Sequence, residues 1–173
     1  MTGLSRRDLM SRAALLSAAF GIGGSTKAAM AAEPALLYDA SLIAARRFAA
    51  RAAALGGAPT RLDGDRVRQM RALLDFAPAA CFGVSRHGDA LLLCEIALEA
   101  GYRRLALMQH QPAGQLVSSC LSQGVTIGVL ARIAGDRWPE TFAEFALGGL
   151  ARCQMSANTG VVDPAFSWVF VKS

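Results

Sequence analysis

Residues 32–173 predict an α/β domain built on a mainly parallel sheet. Three observations carry that expectation. Four short apolar runs alternate with three amphipathic segments between residues 35 and 108, and the connections are brief. The run 79–84, Ala-Ala-Cys-Phe-Gly-Val, is apolar throughout, the mark of a strand covered on both faces. Gly or Asp stands at most of the boundaries, where helices start and stop.

The elements follow in order. Residues 35–38 form a first strand, ending at Asp39. Residues 41–55 form a helix whose stripe is Leu42, Ala45, Phe48, Ala49 and Ala52, with Arg47 and Arg51 an i,i+4 step apart on another face. Gly56-Gly57 closes it. Residues 59–62 form a second strand, and Asp65 caps a helix over 66–76 with Val67, Met70, Leu73 and Leu74 turned inward. Pro78 ends that helix before the strand 79–84. Ser85 to Gly88 is a polar loop, Asp89 caps a third helix over 90–100, and residues 104–108 form a fourth strand. This alternation favours right-handed crossovers and a three-layer arrangement of Rossmann-like or flavodoxin-like type.

Beyond Pro112 the pattern is less regular. Residues 114–122 read as a strand or an irregular segment, and 125–133 as a strand rich in β-branched residues. A turn at Gly135-Asp136 precedes a helix that opens on Trp138-Pro139-Glu140 and runs to about Arg152. Asn158-Thr159-Gly160 is a loop, and residues 166–171 form a last strand. The C-terminal third is therefore expected to add strands, with antiparallel pairing open to them, and one helix to the edge of the sheet.

The N-terminus carries a different kind of signal. Ser5-Arg6-Arg7-Asp8-Leu9-Met10 precedes an Ala-, Leu- and Gly-rich run over 13–24, then Lys27 and Ala29-Met30-Ala31. These residues resemble a twin-arginine (Tat) signal peptide with a small-x-small cleavage site. The resemblance covers residues 1–31, and Met10 and Ser11 depart from the commoner Leu and Lys. It implies transport in the folded state by the twin-arginine translocase, cleavage by signal peptidase before Ala32, and a periplasmic location. The apolar run is shorter than the roughly 20 strongly apolar residues of a bilayer span, so no stable membrane span is expected after processing. The first cysteine is Cys81, which speaks against a lipid anchor at the cleavage site.

The segment 32–173 has the size of one domain. Arg6, Arg7, Arg12 and Lys27 stand against Asp8 in the signal, so most of the net charge of +5 belongs to it. The remainder has no basic run interleaved with aromatic residues, and no nucleic-acid partner is expected. Cys81, Cys94, Cys120 and Cys153 are even in number but widely spaced, with no C-x-x-C. A disulfide is compatible with an oxidising compartment, with Cys120–Cys153 favoured because both lie in less regular sequence.

In an open parallel sheet, ligands bind outside the carboxyl ends of the strands. Those ends carry Asp39 and Ser41, Asp63 and Asp65, Ser85, Arg86 and His87, and Gln109 and His110. Asp39, Asp63, Ser85, Arg86, His87 and His110 are accordingly the candidate ligand-binding residues. Each has a plainer explanation as a cap or a solvated loop residue, except that a guanidinium at a helix start suits a carboxylate or phosphate. Protonated histidines on this rim would strengthen anion binding as pH falls through about 6.5.

Other chemistries are less well matched. Gly83-Val84-Ser85-Arg86-His87-Gly88 departs by one residue from the G-x-S-x-G elbow of α/β-hydrolases. His87, His110, Asp39 and Asp63 offer mixed metal ligands, yet no pair has helical i,i+4 spacing and there is no H-E-x-x-H, so no metal is assigned. No glycine follows the first strand, which rules out a dinucleotide fingerprint at that turn. No cofactor is assigned. The leading expectation is an exported binding or accessory protein for a small anionic ligand or a periplasmic partner protein. The alternative is a small hydrolase or transferase using Ser85, His87 or His110.

Overall fold

A computed structural model of the protein describes residues 33–110, 116–118, 134–148 and 164–173. All of them belong to one unit of the chain, Ala31–Ser173. In chain order the elements are β1 (Ala35–Tyr38), α1 (Ile43–Ala54), β2 (Pro59–Arg61), α2 (Arg66–Leu74), β3 (Ala80–Ser85), α3 (His87–Glu99), β4 (Tyr102–His110), β5 (Leu116–Ser118), α4 (Trp138–Ala146) and β6 (Ala165–Lys172). A 3-10 turn, Gly135–Arg137, leads into α4.

The described strands form one mixed sheet in the order β2-β1-β3-β6-β4-β5. β1 is parallel to both β2 and β3. β6 is antiparallel to β3 on one side and to β4 on the other. β1 to β4 thus share one direction, as the alternation of strands and helices predicts. The expectation of a mainly parallel sheet extended at its edge holds only in part: the sheet is mixed, β6 runs antiparallel, as the sequence leaves open for the C-terminal strands, but lies inside the sheet rather than at its edge, and β5 pairs antiparallel at the edge beyond β4. The physical reason is the composition of β6. Ala165, Ser167 and Val169 are buried on one face, and Trp168 and Phe170 on the other, so both faces need cover, which the middle of the sheet, under helices on both sides, provides.

Helices cover both faces. α1 and α4 pack on one, where Phe48 and Phe82 both meet Phe142 with ring centroids 5.4 and 6.0 Å apart. The buried residues of α1, Ala44, Ala45, Phe48, Ala49 and Ala52, largely match the expected stripe. α2 and α3 pack on the other face through Met70, Leu74, Leu93 and Ala97, over Trp168 and Phe170. Gly83 sits beneath the Trp168 indole, and a Cβ there would come within 2.1 Å of the ring. That close approach, rather than a turn, requires the glycine inside this strand.

Helix ends follow their caps. Asp65 accepts from the Arg68 N–H at 3.1 Å, so α2 starts as expected. α1 stops at Gly56, whose φ of +88° suits glycine. α3 begins at His87, three residues before the expected start, which places Asp89 inside the first turn rather than at the cap. The outer faces of α1 and α4 are clamped by Arg47 on Glu140, through bonds of 2.7 and 2.9 Å, and by Arg51 on Glu144. Among the described residues no helix is long and apolar enough to cross a membrane. The expected strand 125–133 and the loop at Asn158-Thr159-Gly160 lie outside the described residues, as do Cys120 and Cys153. Cys81 and Cys94 are buried and carry free thiols, and burial pushes the Cys81 thiol up to about 12.

Candidate functional site

The parallel register builds the site. Tyr38 of β1 lies opposite Val84 of β3, and the ladder runs one residue further through a bond from the Asp39 N–H to the Val84 carbonyl, 3.0 Å. The residues after the two strands therefore meet, although Ser41 and Arg86 are 45 positions apart. On the other side of β1, the Leu62 N–H donates to the Tyr38 carbonyl at 2.8 Å and brings the end of β2 to the same rim.

A cleft of about 480 Å³ opens over these three strand ends. Asp39 forms its floor and is buried. Its Oδ1 accepts from the Ser41 N–H at 2.9 Å and from the Ser41 hydroxyl at 2.7 Å. Its Oδ2 faces Arg86 Nε at 3.5 Å, and Arg86 Nη2 donates to the Ser41 hydroxyl at 3.1 Å. Asp39 thus ties its own turn together rather than capping α1, whose N-cap Leu42 makes no side-chain bond. Arg86 stretches from the start of α3 across to β1 with most of its side chain in solvent. Arg66, first residue of α2, and Asp89 in the first turn of α3 face each other at 3.4 Å on the cleft wall. Arg61 and Asp63 complete the rim at 3.9 Å.

Of the candidate residues, Asp39, Asp63 and Arg86 come together in this cleft. Ser85 does not line it. That residue is fully buried, and its hydroxyl donates to the Arg86 carbonyl at 3.1 Å and accepts from the Trp168 indole N–H at 3.0 Å. His87 is exposed on α3 and stacks on Phe166 at 4.5 Å. His110 ends β4 on the opposite face of the sheet, against α4. Its ring lies flat on Trp138 at 3.5 Å, and its Nε2 shares a 2.8 Å hydrogen bond with the Ser167 hydroxyl. The two histidines thus share an edge of the sheet but are separated by β6 and by the sheet itself. Burial lowers the His110 pKa to about 3, so this ring stays neutral where the sequence suggested a cation.

Ser41, Arg61, Arg66 and Asp89 are further lining residues. The topology held the missing clue. In β-α-β units the helix N-termini lie on the same side as the strand carboxyl ends, so Arg66 at the start of α2 belongs to the rim as much as Arg86. Among the described residues, no group of three or more His, Cys, Asp or Glu side chains is arranged to hold a metal ion. A scan of family models finds no match, and searches of curated proteins and of solved structures find none either.

Proposed function

We propose that this protein is an exported periplasmic binding module that takes a small anionic ligand in the cleft at the ends of β1, β2 and β3. One observation carries the reading: Asp39 and Ser41, just after β1, hold Arg86, just after β3, across the gap between those strands. β2 lies on one side of β1 and β3 on the other, so the chain reverses its direction of winding at this gap. The order β2-β1-β3 resembles the start of a doubly wound, flavodoxin-like sheet, in which ligands sit at such a switch point, while β6 and β5 depart from it by running antiparallel. The exposed guanidinium supplies the charge, and the buried carboxylate fixes its position.

Export rests on the twin-arginine resemblance of residues 1–31, with the translocase and signal peptidase as transient partners. The hydrolase or transferase alternative gains little from the geometry. The Ser85 hydroxyl is engaged by Trp168 and by the Arg86 carbonyl, and the hydroxyl beside His110 belongs to Ser167, which is 1% exposed. The test is a thermal-shift titration with inorganic phosphate and with succinate. Either anion is expected to stabilise the wild type and to lose its effect on Arg86→Ala. Equal stabilisation of both proteins would remove the cleft from consideration and leave docking of a periplasmic partner protein.

A further inference from the structure

Resting on that reading of the cleft, we infer that its ligand is a phosphorylated sugar or polyol, with the phosphoryl group on Arg86 and Arg66 and hydroxyls turned to Asp63 and Asp89. The first observation is a surplus of donors. A guanidinium carries five N–H groups. Arg86 places one, on Ser41, and Arg66 places one, on the Gly64 carbonyl at 3.3 Å. Arg66 Nε, buried and facing Asp89 at 3.4 Å, has no hydrogen-bond partner among the described residues, so the donors left for a ligand are the Nη groups.

The ion pairs of the cleft do not absorb this surplus. They stand at 3.4, 3.5 and 3.9 Å, outside good hydrogen-bond length. The arginines between α1 and α4 close on their carboxylates at 2.7 and 2.6 Å, so the cleft arginines are held less tightly than those, although the exposed pair Arg71–Glu99 outside the cleft is also long at 3.8 Å. A carboxylate group saturates one guanidinium through two parallel bonds. A phosphoryl group presents three oxygens and suits donors arriving from two sides.

The second observation concerns the rest of the volume. About 480 Å³ is more than a phosphoryl group fills. Asp39 has no role there beyond positioning, since its Oδ1 serves Ser41 and its Oδ2 faces Arg86. Asp63 and Asp89 line the remainder and are acceptors when ionised, which suits hydroxyl donors. Among the described lining residues none is aromatic and only Ala40 and Leu62 are apolar, so a nucleobase finds no aromatic stacking surface there.

Calorimetry on the purified protein with ribose 5-phosphate, ribose, inorganic phosphate, succinate and adenosine monophosphate tests this. Ribose 5-phosphate is expected to bind about tenfold or more tightly than inorganic phosphate, succinate or the nucleotide, and ribose not at all. Arg66→Lys keeps the charge but removes the fork, and should weaken ribose 5-phosphate about tenfold. Asp63→Asn should weaken ribose 5-phosphate while leaving inorganic phosphate unchanged. Succinate or the nucleotide binding more tightly than ribose 5-phosphate would overturn the ligand class and leave the anion cleft standing. Affinity for ribose 5-phosphate no better than for inorganic phosphate would do the same. Absence of binding by every anion would overturn the cleft reading as well.

Discussion

His110 shows what burial does to a single titratable residue. It is stacked on Trp138, bonded to Ser167 and held neutral, with a pKa near 3. An unfolded histidine titrates near 6.5. Between those values the unfolded chain binds a proton that the native state refuses, so stability rises with pH across the window. It is complete above about 6.5 and is lost progressively as pH falls towards 3, by up to about 1.4 kcal/mol per pH unit. Between pH 7 and 5, urea melts of the wild type should therefore lose about 2 kcal/mol more than those of His110→Gln. Equal losses would mean that the imidazole charges at no cost where it lies. Gly83 gives a steric counterpart. Alanine there meets the Trp168 ring at 2.1 Å, and the indole is anchored by its bond to Ser85, so it cannot simply swing away. Gly83→Ala should cost about 1–3 kcal/mol or more, read as a lower denaturation midpoint.

At the scale of elements, local chemistry made β1 to β4 and their helices legible. Asp65 is a case in point: one carboxylate before an amphipathic stretch placed the start of α2, and its bond to the Arg68 N–H is present. Asp65→Ala should cost about 1 kcal/mol in denaturant melts, and a change near zero would mean that water serves that N–H equally well. The start of α3 was less legible because Asp89 looks like a cap in sequence, while the chain enters the helix at His87 with no side-chain cap. The neighbours of β6 were not legible, and its antiparallel direction was open but not fixed. An apolar run reports that both faces of a strand are covered, but the same run fits either direction and any interior position. This also explains the partial view of the site. Asp39, Asp63 and Arg86 follow strands whose parallel register was readable, so they converge. His87 and His110 share the rim in sequence terms, but β6 lies between their strands and the two faces of the sheet part their side chains.

For the whole molecule, the place of β6 bears on the proposed route of export. β6 joins β3 to β4, and no other described strand bridges them. It comes off the ribosome after both of its neighbours, so the sheet closes only once residues 165–172 exist. Trp168, Phe170 and Val169, each at most 1% exposed, then fill both cores at once. A domain completed by an interior strand made late suits a route that moves folded cargo, as the twin-arginine resemblance of residues 5–10 implies. Two variants examine this jointly. Arg6→Lys with Arg7→Lys leaves the domain untouched and should leave folded, protease-resistant precursor in the cytoplasm. Deletion of residues 164–173 keeps the signal but strips the cover from β3 and β4. That chain should be protease-sensitive and should not reach the periplasm. If the deletion variant is exported as well as the full chain, passage does not require a finished sheet. If the Lys-Lys variant is also exported normally, the twin-arginine assignment fails, whatever the fold of the cargo.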